Sequence, residues 1–230
     1  MSGGPLRQVV VAERSPGVPA AVGGPLPACL FARPPRPGEV KTRLAARVGA
    51  AAAAEVAAAM LEDAIDAVLA VAALRPIWAC TEAVSARVEV WPQGDGDLSA
   101  RVERVLAAGA PFGGALALGP DTLGMDPEAL GAAAAAVRAG EAALGRAEDG
   151  GFWCLGLRAV PAGLLAGVGW SAPTTADEVE ARLRAAGIVV RALPVRRDVD
   201  GWDDLVALLN TPAWHPTSPR LLAVARRLSG

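Results

Sequence analysis

The chain has no tyrosine and a single histidine, His215, among its 230 residues. One imidazole all but excludes histidine-based metal or triad chemistry. Cysteine is scarce as well: Cys29, Cys80 and Cys154 lie far apart with no Cys-x-x-Cys spacing. An odd, scattered set argues against a disulfide framework and against a zinc site, and the apolar neighbours suit small buried hydrophobes. A long apolar run is missing despite a positive mean hydropathy. One long charge-free stretch, residues 159–176, contains two prolines and several glycines and makes a poor membrane span. The first residues lack the basic-then-apolar layout of a signal peptide, so a cytoplasmic protein is expected. Charge of one sign is lacking too: the formal net charge is −2, which speaks against bulk nucleic-acid affinity. The missing tyrosine, beside abundant Ala, Gly, Pro and Arg, fits a base-composition bias and carries no function.

What is present is hydrophobic. At 53% hydrophobic and 20% charged residues, the chain is not intrinsically disordered, and its length suits one domain with a full core. Residues 1–26, rich in Gly, Pro and Val, read as an N-terminal extension with at most one short strand. Residues 27–230 read as a single domain. "ACLFAR" (28–33) reads as a buried strand ending at a Pro-Pro pair. A helix follows from near Glu39 to Leu74, breakable at Gly49, with Val56, Met60, Ile65 and Val68 as its apolar stripe. "PIWACT" (76–81), "RVEVW" (87–91), "GGALALGPD" (113–121), "FWCLGL" (152–157) and "IVVRALPV" (188–195) read as further strands. Between them lie helices over 97–109, 126–140, capped by Asp126 and Pro127, and 175–187, with a last one over 200–210. Alternation of strand and helix predicts a three-layer α/β/α fold with a mostly parallel sheet.

In such sheets ligands bind at the carboxyl ends of the strands, so polar residues there carry the most information. The first such place is "FARPPRPGEVKTRLA" (31–45), with four cations, Arg33, Arg36, Lys41 and Arg43, and three prolines. The prolines stiffen the loop and Gly38 lets it turn. Cations at the first turn of a helix oppose its dipole, so helix stability does not explain them; a bound phosphate does. A solvated basic loop is the ordinary reading of such a run, and the prolines and strand-end placement favour the phosphate. Asp121, at the tip of "LALGPD", fits a metal-holding carboxylate and a plain turn residue equally well. Glu148 and Asp149 precede a Gly pair that permits close approach of a ligand, although an acidic turn also explains Asp-Gly. Asp198 and Asp200 flank Val199, so in an extended segment both carboxylates point to one side and need a cation between them. One of this pair is expected to cap the last helix and the other to be open to metal.

Taken in order, these motifs resemble the bacterial rSAM/selenodomain-associated transferase family, a group of candidate glycosyltransferases carrying a domain of unknown function. The likeness runs through "FARPPRPGEVKTRLA", "QGDGDLSARVERVL", "LGPDTLGMDPEAL", "AEDGGFWCLGL", "GWSAPTT" and "DVDGWDDLVAL", roughly residues 28–210. "GPDTLG" stands where that family has Gly-Ser-Asp-Cys-Pro; the acid is kept. The resemblance implies a Rossmann-like GT-A nucleotide-diphospho-sugar transferase fold and a divalent metal, Mg²⁺ or Mn²⁺. It implies phosphate binding by Arg33, Arg36, Gly38, Lys41 and Arg43, metal at Asp121 and Asp200, and a catalytic role for Asp149. The partners implied are a nucleotide sugar or nucleoside triphosphate and a small-molecule acceptor, with no nucleic acid. Nucleotidyl transfer with pyrophosphate release and a catalytically silent nucleotide-binding module are the alternatives. Trp78, Trp91, Trp153 and Trp202 read as core or rim packing, and Trp170 as the same or as an acceptor-pocket wall. His215 reads as a surface residue of a C-terminal tail, and the Ala-rich helix as a packing face for a neighbour or for a second subunit of a homodimer.

Overall fold

The computed structural model describes residues 24–230; the short strand expected in the extension lies outside them. The elements run β1 (Leu26–Phe31), α1 (Thr42–Val48), α2 (Ala50–Leu69), β2 (Leu74–Cys80), β3 (Glu89–Pro92), α3 (Leu98–Ala107), β4 (Ala115–Leu118), α4 (Pro127–Ala139), β5 (Ala142–Ala147), β6 (Phe152–Leu157), α5 (Thr175–Ala185), β7 (Val190–Arg196), α6 (Trp202–Asn210) and α7 (Pro219–Ser229). The strands form one seven-stranded sheet in the order β3-β2-β1-β4-β6-β5-β7. Only β6 runs against the rest, pairing antiparallel with β4 and β5. The strand order reverses at β1, whose neighbours β2 and β4 leave a crevice at its carboxyl end.

Alternation sorts the β1 side chains onto two faces. Ala28 and Leu30 join Ile65 and Val68 of α2 and Leu130 and Val137 of α4. Cys29 packs with Ile77, Ala79 and Val105 of α3 on the other face, beside a cluster joining Val102 and Leu106 of α3 to Val179 and Leu183 of α5. The expected three layers are present. A further cluster joins Leu44, Val56 and Met60 to Val199, Leu205, Leu208 and Leu221, seating α6 and α7 on α1 and α2. The Ala-rich face of α2 is thus used within the chain. All three cysteines are buried and free, and burial pushes the Cys29 and Cys154 thiols far above the usual range.

Three expectations need correction. β5 is a strand that the sequence reading passes over. Its "AALGRA" has low strand propensity, and Gly145 is needed because a Cβ there would sit 2.4 Å from the Trp153 ring. The C-terminal segment is no tail: α7 packs on α2, and His215 is half-buried with Nε2 3.0 Å from the Leu208 carbonyl oxygen. The first helix begins at Thr42 rather than near Glu39, and Gly49, with φ 85°, does separate it from α2.

Asp63 fastens α7 in place. This buried carboxylate of α2 accepts from the backbone N–H groups of Arg220 and Leu221 and from the Arg220 guanidinium. It acts as a helix cap supplied from another helix, and burial still pushes its pKa above the ordinary value despite those bonds.

Gly150 closes the β5–β6 turn against the segment before α5. Its φ is +91°, and a Cβ would lie 2.1 Å from the Pro173 carbonyl oxygen. Gly150→Ala is expected to destabilise the protein by at least about 2 kcal/mol, from backbone strain and a backbone clash together. Gly167→Ala, with φ +69° and nothing within 4 Å, should cost only about 1–2 kcal/mol. Urea denaturation of the two variants checks the difference.

Candidate functional site

Because β1, β4, β5 and β7 all run the same way, their carboxyl ends lie on one edge of the sheet, and every polar position singled out in the sequence falls there. β1 delivers Arg33 and the proline loop, β4 delivers Asp121, the β5–β6 turn delivers Asp149, and the segment after β7 delivers Asp198 and Asp200. A cleft of about 430 Å³ opens at this edge, lined among others by Phe31, Arg33, Lys41, Arg43, Asp121 and Asp200. That volume lies within the range of small-molecule sites.

Backbone bonds hold the acids together. The Leu123 N–H donates to the Arg197 carbonyl and the Val199 N–H to the Asp121 carbonyl, each at 2.8 Å, and Thr122 and Asp198 form an antiparallel bridge. The Thr122 hydroxyl then donates to Asp198 Oδ1 at 2.7 Å. Burial pushes the Asp198 pKa up to about 6; the Thr122 bond opposes the shift, the charges of Asp121 and Asp149 add to it, and Lys41 again opposes it. Three carboxylates therefore feel one another at the tips of β4, β5 and β7.

Lys41 is the cation that faces them. Its side chain is 7% exposed, and its ammonium lies 2.9 Å from Asp121 Oδ2 and 3.6 Å from Asp200 Oδ1 and donates to the Val199 carbonyl at 2.6 Å. To place it there the backbone turns left-handed, φ 47° and ψ 48°, a conformation that costs a non-glycine residue roughly 1–2 kcal/mol. The pair expected around a cation was Asp198 and Asp200; the acids that flank Lys41 are instead Asp121 and Asp200, while Asp198 is bonded by Thr122.

The remaining sequence-derived residues divide. Arg33 and Arg43 line the cleft; Arg43 is 84% exposed, with Asp200 Oδ2 3.8 Å away. Arg36 instead grips Glu82 at 2.8 Å and does not line the cleft. Gly38, at φ +84° with open space around it, makes the turn that the loop needs. The helix dipole has a smaller part than expected, since α1 has only seven residues. Asp149 is exposed, with Oδ1 accepting from the Gly151 N–H at 2.8 Å. Neither Asp198 nor Asp200 caps α6, contrary to expectation. Asp204 does so from within the helix, its Oδ2 accepting from the N–H groups of Asp200 and Gly201. Trp170 lies off the cleft, donating from Nε1 to Ser99 Oγ at 2.8 Å and packing on Phe152. Thr122 and the Val199 carbonyl escape a sequence reading because their roles arise only from the pairing of two distant loops.

A model of the family DUF2064, described as an uncharacterized protein conserved in bacteria, matches residues 42–172, more than half of the chain. The chain belongs to this family. Among curated proteins none matches it. The DUF2064 chain is similar in structure to a candidate nucleotide-diphospho-sugar transferase from Desulfovibrio desulfuricans G20. The two share a TM-score of 0.77 and 23% identity over 88% of this chain and 97% of that one. The fold expected from the resemblance is the fold observed. No helix among the described residues is long and apolar enough to cross a membrane.

Among the described residues no three His, Cys, Asp or Glu side chains gather tightly enough to hold a metal ion unaided. The donor set nevertheless fits a hard divalent cation. Mg²⁺ commonly takes one or two carboxylates and fills its remaining positions with water and phosphate oxygens. Asp121 and Asp198, on adjoining tip segments, offer such oxygens.

The shift that burial imposes on Asp198 has a sign that can be checked. A carboxyl whose folded pKa is raised binds its proton more tightly in the native state. Its contribution to stability is therefore present at low pH and is lost as pH rises from about 4 through about 6. Asp198→Asn, which keeps an acceptor for Thr122, should raise the melting temperature at pH 7.5 in EDTA and leave it nearly unchanged at pH 4. Melting curves across that range decide; an equal loss at both pH values would contradict the burial account.

Proposed function

We propose that this protein is a metal-dependent transferase acting on a nucleotide-activated donor, in first place a nucleotide sugar. The observation that carries this reading is the meeting of Lys41 and Asp121 at 2.9 Å across one cleft at the crevice beside β1. Arg33 and Arg43 are the cations best exposed to bind the donor's phosphates. Asp121 and Asp198 are the residues to hold a divalent cation; Asp200 serves to position Lys41 and Arg43, a change from the metal role first expected of it. When bound, such a cation neutralises charge on the departing diphosphate. The acceptor hydroxyl oxygen bonds to the anomeric carbon as that carbon's bond to the diphosphate oxygen breaks, and the bonding pair leaves with the diphosphate. The hydroxyl proton passes to Asp149, whose Oδ2 is not used in its turn.

The same cations suit a triphosphate, so nucleotidyl transfer differs only in the bond broken. Thermal-shift titration with nucleotide sugars and nucleoside triphosphates, with and without Mg²⁺ or Mn²⁺, tests the site. A metal-dependent rise in melting temperature is expected. With the donor found, release of a nucleoside diphosphate supports glycosyl transfer, and pyrophosphate release moves the assignment to nucleotidyl transfer. Asp121→Asn should lower turnover by about 10²-fold or more while the protein stays folded. Absence of any nucleotide-dependent shift would defeat the proposal.

A further inference from the structure

Lys41 has two tasks that it cannot perform together. An ammonium has three protons to donate. Here its surroundings are the Val199 carbonyl at 2.6 Å, Asp121 at 2.9 Å and Asp200 at 3.6 Å, and the side chain is 7% exposed. Asp200 is an ion-pair partner at that distance and not a hydrogen-bond acceptor, and the low exposure of the side chain leaves little of the ammonium open to a phosphate oxygen. Arg33 and Arg43, by contrast, stand open on the cleft wall. The Asp121 carboxylate at the β4 tip already has a resident cation on Oδ2, although its side chain is 51% exposed.

Two cations do not share one carboxylate oxygen without strong mutual repulsion. We infer that Lys41 is a tethered counter-ion which a divalent metal displaces from Asp121, so that metal and nucleotide bind as a coupled pair. This inference rests on the assignment of Asp121 to metal made above. In the free protein Lys41 satisfies Asp121 and lowers its affinity for the metal. Once the metal takes Asp121, the ammonium is released toward the polyphosphate, and nucleotide binding in turn keeps Lys41 away from the acid. Reciprocity follows: each ligand tightens the other by the same factor. Lys41, the residue just before α1, has a left-handed backbone and already lines the cleft, so release from Asp121 leaves its ammonium within that same cleft.

The test is direct Mn²⁺ binding, followed by electron paramagnetic resonance without turnover. Wild type should bind Mn²⁺ weakly alone and roughly 5- to 100-fold more tightly with a saturating nucleotide sugar. Lys41→Met should bind Mn²⁺ alone more tightly than wild type, by a similar factor, and should lose most of the nucleotide-dependent gain. Lys41→Gly, which suits the left-handed conformation, gives the same readout should the Met variant fail to fold. If a folded Lys41 variant binds Mn²⁺ alone with wild-type or weaker affinity, the counter-ion role is overturned while the metal assignment stands. If neither wild type nor variant binds Mn²⁺, the assignment of Asp121 to metal falls and the inference falls with it.

Discussion

The clasp between the loop after β4 and the segment after β7 is the contact on which the cleft depends. These segments are some 75 residues apart in the chain, as the Thr122–Asp198 bond spans 76 positions. Two backbone bonds at 2.8 Å, Leu123 to Arg197 and Val199 to Asp121, fix their register. Without that register Asp198 would not face Asp121, and the Val199 carbonyl would not be within reach of Lys41. The clasp therefore joins an acid from the first half of the fold to an acid from the second. It also gives the buried lysine a backbone acceptor, the Val199 carbonyl.

The clasp is supported from behind by apolar packing. Leu123 and Val199 are fully buried in the cluster built by α1, α2, α6 and α7, so the strand-tip loop cannot move without disturbing these helices. Asp63 contributes by capping α7 from α2. A carboxylate so fully buried is costly unless its acceptor sites are filled, and here the N–H groups at the start of α7 and the Arg220 guanidinium fill them. The acidic edge is thus held by a rigid frame, as groups that must keep their geometry require.

Much of this was legible in the residues, for identifiable reasons. The layered fold followed from alternation, since buried parallel strands and amphipathic helices leave strong periodic signals. The cations and acids at strand ends were legible because an α/β sheet places all such ends on one edge. β5 was lost because Ala and Gly carry little strand signal, and Gly145 is chosen for room beside Trp153 rather than for propensity. α7 has a local start signal in Ser218 and Pro219; what its own residues do not reveal is that the acceptor at its N-terminus is Asp63 of α2. The choice among Asp198, Asp200 and Asp204 for cap and cleft was beyond local reasoning. Asp198 and Asp200 both stand just before the helix, and the N–H bonds accepted by Asp204, the bond from Thr122 and the position of Lys41 separate the three roles. Arg36 shows the same limit, since Glu82, which grips it, comes from the end of a different strand.

The sealed thiols have a practical corollary. Cys29, Cys80 and Cys154 are all fully buried, and alkylating probes react with exposed thiolates. The native fold consequently offers a silent background for a single cysteine introduced on the cleft rim. A spin or fluorescent reporter attached there would follow movements of the loop alone, with no need to strip the protein of its own sulfur.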